Sequence, residues 1–124
     1  MLSPDKRFSI VARIKSATHA WRGLGILIKT THNVWGHIFF GLLATYLGYI
    51  LKISTTEWLF IIFAIGLVII TEAINTAVEI DIDLTSPEEH PYARDTKDVA
   101  AGAVLLSVMV AILVGAVIFL PKIL

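Results

Sequence analysis

Three long apolar runs separated by short polar segments fill most of the chain, and an amphipathic stretch precedes them. The runs at 34–53, 58–82 and 99–120 are each long enough to cross a bilayer as a helix. The third holds no charge, and Pro121 is expected to stop it. A turn containing Lys52, Ser54, Thr55, Thr56 and Glu57 divides the first two runs. A polar loop at 83–98, marked by the turn signal Thr85-Ser86-Pro87, divides the second from the third. Upstream, Ile10, Ile14, Ala17, Trp21, Leu24 and Ile28 recur at steps of three and four, while Arg13, Lys15, Arg22 and Lys29 occupy other faces. This pattern predicts a helix over 5–29 lying on a membrane surface, with an amphipathic core helix as the alternative. The expected fold is an all-α membrane protein in one domain, an N-terminal amphipathic surface helix followed by three transmembrane helices.

Composition supports a membrane setting. Of 124 residues, 56% are hydrophobic, and the mean hydropathy of +0.80 is far above that of a soluble domain of this size. Three spans enclose little volume, so any pocket is expected to be completed by other copies of the chain. Ala100, Ala101, Gly102, Ala103, Gly115 and Ala116 let another helix approach the third span closely. With no cysteine, disulfides and thiolate metal sites are excluded. No cleavable signal peptide is expected, which leaves targeting to the first span. Placing Lys6, Arg7, Arg13, Lys15, Arg22, Lys29, Arg94 and Lys97 inside leaves only Lys52 and Lys122 outside, so the N-terminus is expected in the cytoplasm and the C-terminus outside. No nucleic-acid partner is expected.

Glu72, Asn75 and Glu79 are out of keeping with the second run. An acidic residue near the centre of a spanning helix costs roughly 2.5 to 3.5 kcal/mol even on lenient scales, so two of them require a partner or a function. At about 100° per residue the three share an arc of about 60°, and Asp83 continues the stripe. Counting about 1.5 Å per residue from Trp58, Glu72 lies about 21 Å in and Glu79 about 31 Å in, against a hydrocarbon core of about 30 Å. Glu79 thus meets the cytoplasmic headgroups, and Glu72 sits two turns deeper. Lys97 and Asp98 open the third span at the same level. A cation beside carboxylates at a water boundary suits a magnesium-bound polyphosphate. No common soluble nucleotide loop is present. Three readings stay open on spacing alone: structural ion pairing, a proton or ion path, and chemistry on a lipid.

The segment Thr71-Glu72-Ala73-Ile74-Asn75-Thr76-Ala77-Val78-Glu79, then His90-Pro91 and Ala93-Arg94-Asp95-Thr96-Lys97-Asp98-Val99-Ala100-Ala101-Gly102-Ala103-Val104, resembles the prokaryotic diacylglycerol kinase family, which includes undecaprenol kinases. Trp21-Arg22-Gly23-Leu24 fits the same family, so the resemblance covers nearly the whole chain. It implies a homotrimer in the bacterial inner or plasma membrane with active sites between subunits, moving the γ-phosphate of Mg-ATP to the primary hydroxyl of a membrane lipid. It makes Glu72 the general base and gives Glu79 the Mg²⁺ ion and nucleotide, with Asn75, Lys97 and Asp98 positioning them. Glu88, Glu89 and His90 match a nucleotide-contacting stretch, and His19 aligns with a nucleotide-contacting position. The wording around Asn75 and Ala100, with Pro91 after His90, leans toward the undecaprenol kinase branch over the diacylglycerol branch. The rival is a degenerate trimer of the same fold that binds nucleotide or lipid without turnover.

One departure matters. Relatives read approximately K-x-E-x-N-F-R-x-H after the surface helix, with a metal-binding glutamate where this chain has Thr31 and an arginine where it has Trp35. Lys29, Asn33 and His37 are kept. Either Glu79, water and phosphates hold the metal alone, or Glu88 or Asp98 takes over, or activity is lost. Activity with a raised magnesium requirement is expected, since every other motif residue is present. His32 and His37 lie about 140° apart on a helix, a poor spacing for one metal site, and are expected to be helix-start or headgroup-facing residues.

Overall fold

The computed structural model describes residues 8–124, which fold as four helices: α1 (Ile10–Thr30), α2 (Asn33–Ile50), α3 (Thr55–Thr85) and α4 (Pro91–Ile123). The expected start of the surface helix at 5–7, with Lys6 and Arg7, lies outside the described residues. Ser9 starts α1 by accepting the Ala12 N–H at 3.3 Å. Ser54 and Glu57 form a reciprocal capping box that starts α3.

The tight α2–α3 turn requires two particular backbones. Lys52 adopts a left-handed conformation with φ 52°. Gly48 carries no Cβ, which would lie 2.8 Å from Trp58 Cη2 and 2.9 Å from Ile53 Cδ1. Trp58 therefore closes over Gly48 and packs on the apolar core. That core, Ile53, Ile61, Ile118 and Phe119, sits at the α2–α3 turn end of the bundle. Lys122 donates to Glu57 at 2.9 Å across the same end.

α3 and α4 outrun the spans that hydropathy marks out. With 31 and 33 residues they are about 46 and 50 Å long, well beyond a hydrocarbon core of about 30 Å. The expected loop at 83–98 accordingly shrinks. α3 runs to Thr85 and α4 begins at Pro91, where the His90 cap and a proline in the first turn start the helix well before the apolar run. At the other end Pro121 lies inside α4 and does not stop it, since its missing N–H costs one bond in the last turn.

By length and composition α3 and α4 qualify as membrane spans; α2, diluted by Asn33, His37, Tyr46 and Tyr49, falls short. Phe39, Phe60, Phe63, Leu106, Ile112 and Val117 are all exposed, more apolar surface than a water-facing monomer carries. The α1 stripe Ile10, Ile14, Trp21, Leu24 and Ile28 is also exposed within the chain, so α1 is not a core helix of this subunit. Leu27 alone on α1 is fully buried, and Trp35 Nε1 ties α2 to the Ile28 carbonyl at 3.2 Å.

Candidate active site

The polar residues gather at the bundle end opposite the apolar core, where α1, α2 and α3 meet. Glu72 is 1% exposed, the deepest large side chain in the molecule together with Val34. Its Oε2 lies 3.1 Å from His37 Nε2 on α2, and its Oε1 has no partner. A buried carboxylate with one oxygen held and the other empty is poised to accept something the chain does not itself supply. Asn75, also buried, donates through Nδ2 to Glu79 Oε1 at 3.3 Å and leaves its own Oδ1 unpartnered. Glu79 is exposed one turn further on.

Thr31 joins this group. The Thr76 hydroxyl donates to the Glu72 carbonyl at 2.9 Å, so the proton in its 2.8 Å contact with Thr31 comes from Thr31. Thr31, the position expected from the family-like pattern to be a glutamate, thus faces the helix of Glu72 and Glu79. Its hydroxyl lone pairs are unspent, but they bring no charge.

His37 was missed by spacing. Expected at a helix start or among headgroups, it points inward with its side chain 19% exposed, to a residue 35 positions away. Its retention in the family-like pattern was the available signal. His37 is also the one polar side chain lining an otherwise apolar cavity of about 270 Å³ between α2, α3 and α4, walled by Phe40, Gly41, Ile65, Val68, Ala111 and Gly115 among others. Further along, Thr71 and the buried Ser107 join α3 to α4 at 2.9 Å.

A second, polar hollow of about 420 Å³ opens where α3 turns into α4, lined by Asp83, Glu88, Glu89, His90, Arg94 and Lys97 among others. Lys97 donates to Asp83, and its charge is favoured first by that bond and at longer range by Glu79. Lys97 and Asp98 do not open α4; they lie two turns inside it. His90 spends Nδ1 as the α4 N-cap, accepting the Tyr92 N–H at 3.1 Å. Among the described residues, Asp98, His19, Glu88 and Glu89 make no side-chain hydrogen bond to the Glu72 cluster, and His19 is exposed on α1.

The donor set can be tested against a magnesium ion. Within one chain no three acidic or histidine side chains converge among the described residues. Glu79 and its partner Asn75, one turn apart on α3, nevertheless offer hard oxygens, and Thr31 reaches the same helix through Thr76. Magnesium is commonly bound by one or two carboxylates plus waters and substrate phosphates, so this set fits.

Residues 18–119 match the family model described as prokaryotic diacylglycerol kinase. The undecaprenol kinase of Bacillus subtilis (strain 168) is 35% identical over 122 residues, covering 98% of this chain and 99% of that protein. The diacylglycerol kinase of Synechocystis is 34% identical over 110 residues, covering 88% of this chain and 63% of that protein. The diacylglycerol kinase of Escherichia coli (strain K12) is 28% identical over 100 residues, 81% of this chain and 82% of that protein. By class the protein is a lipid kinase. The chain belongs to the prokaryotic diacylglycerol kinase family, on its undecaprenol kinase branch.

Proposed function

We propose that the protein transfers the γ-phosphate of Mg-ATP to the primary hydroxyl of a membrane lipid, with undecaprenol favoured over diacylglycerol as acceptor. The observation that carries this is the unpartnered Oε1 of buried Glu72, whose other oxygen is held by the histidine at the end of an apolar cavity. The cavity takes the start of the lipid's hydrocarbon chain, and the hydroxyl meets Glu72. The identity to the Bacillus undecaprenol kinase across the full length of both chains supports the polyprenol acceptor.

In the reaction the lipid oxygen bonds to the γ-phosphorus, the bond from that phosphorus to the β-bridging oxygen breaks, and ADP leaves. The hydroxyl proton passes to Glu72 Oε1. Such transfers run through a loose transition state, so placement and charge neutralisation do most of the work. Glu79, Asn75 and Thr31 would hold the metal, which neutralises phosphate charge when bound. Lys97, with Asp83 keeping it in place, and Arg94 face the phosphates from the polar hollow. Glu88, Glu89, His90, Asp98 and His19 complete the nucleotide site, the last two groups reaching it from α4 and α1 of this or a neighbouring copy.

The assembly in this reading is a homotrimer of three-span subunits in the bacterial inner or plasma membrane, N-terminus inside and C-terminus outside. α1 lies on the cytoplasmic surface, where its exposed apolar stripe supports it. Purified protein given labelled ATP with undecaprenol and diacylglycerol side by side tests the reaction. Undecaprenyl phosphate is the expected main product, and Glu72→Gln, folded as the wild type, should reduce transfer by at least about 100-fold, the lower end for loss of a general base. Transfer to neither lipid, or full transfer by Glu72→Gln, would overturn the assignment.

A further inference from the structure

We propose that His37 is a positioning residue for the reaction: by donating its Nε2–H to Glu72 Oε2 it fixes the carboxylate so that Oε1 alone faces the incoming hydroxyl. The proposal rests on the reading of Glu72 as the base. Three observations carry it. The nitrogen and oxygen are 3.1 Å apart, within ordinary hydrogen-bond range. Glu72 is 1% exposed, so water does not replace a lost donor, and among the described residues no other side chain bonds this carboxylate. His37 also lines the apolar cavity, where it is the one titratable member of the lining, so the same ring touches the path of the lipid and the group that takes its proton.

The geometry divides the work between two oxygens. A free carboxylate turns about its last torsion through a broad, two-fold well, and either oxygen then meets the substrate. With Oε2 tied to α2, the carboxylate cannot turn, and its remaining lone pairs point one way. The partner comes from a different helix, so this hold also sets the spacing of α2 and α3 at the depth of the reaction. A space-filling role is the competing explanation, and the two differ in what they ask of a substitute. Packing among Phe40, Ile65 and Val68 is served by an apolar side chain, whereas positioning requires an N–H.

Four variants decide between them: His37→Gln keeps a side-chain N–H, His37→Leu and His37→Phe do not, and Glu72→Gln reports on the base itself. Each is purified in detergent, checked for wild-type elution and helix content, and assayed for kcat and KM with undecaprenol and ATP. His37→Gln should stay within about threefold of wild-type kcat. His37→Leu and His37→Phe should lose about 30-fold in kcat, the loss of one hydrogen bond to a charged group, with the KM for ATP unchanged within twofold. If Leu does not fold, Phe, which keeps a planar ring, gives the comparison. Apolar variants equal to or faster than His37→Gln overturn the positioning role while leaving the kinase reading intact. Full activity in Glu72→Gln overturns the reading of the base, and this inference with it.

Discussion

Replacing Thr31 with glutamate installs the carboxylate that the family-like pattern has at one of the two motif positions, with Trp35, where this chain departs from it. Thr31 donates its hydroxyl to Thr76 at 2.8 Å, and that link, worth about 1 kcal/mol, is lost on substitution. In exchange a carboxylate enters next to Thr76, on the helix that carries Asn75 and Glu79, bringing the negative charge that a neutral hydroxyl lacks. Outer-shell changes already alter metal affinity by about 10- to 100-fold, so an added charged ligand should lower the half-saturating magnesium concentration by about tenfold. Without magnesium the variant should be less stable than wild type, because the new charge adds to the two acids of the same helix, Glu72 and Glu79. The assay is phosphate transfer to lipid across a magnesium titration at saturating ATP, run in parallel on Thr31→Gln. Gln has the same reach without the charge and should shift the curve far less. Superimposable curves for wild type and Thr31→Glu would refute the placement of position 31 at the metal.

Two further expectations test the cavity and the opposite end of the bundle. A Cβ at Gly41 meets Ile65 Cγ2 at an ordinary 3.4 Å, so Gly41→Leu should fold and push its remaining atoms into the cavity, lowering kcat/KM for the lipid about tenfold with the KM for ATP unchanged; an unaltered lipid kcat/KM would remove the chain from that cavity. Gly48→Ala drives a methyl within 2.9 Å of both Trp58 and Ile53 and should cost about 1 to 3 kcal/mol, read as earlier thermal unfolding in detergent, with wild-type stability as the refuting result.

Local patterns in the chain located the helices and the single face shared by Glu72, Asn75 and Glu79. Within the chain Glu72 is buried and Glu79 exposed. Hydropathy ended α3 and began α4 in the wrong places because it registers where a helix leaves oil, not where it stops being a helix. The partners of the site residues were hidden for a different reason. His37 with Glu72, Thr31 with Thr76 and Lys97 with Asp83 are 35, 45 and 14 positions apart, and each pair depends on how separate helices stand beside one another. No periodicity within one helix carries that information. The Thr31 substitution, by contrast, was legible at once, since it needed only comparison with a pattern.

The two ends of the bundle are held by unlike means. Ile53, Ile61, Ile118, Phe119 and Trp58 clamp one end with apolar packing, while the other adds only Leu27 and Val34 to a few polar links among three helices. Openings of low free energy begin where buried contacts are sparse. On warming, the end that carries Glu72 should fray while the far end still holds its helices together, so lipid phosphorylation is expected to fall at a temperature where most of the helix signal in circular dichroism survives, and to return on cooling.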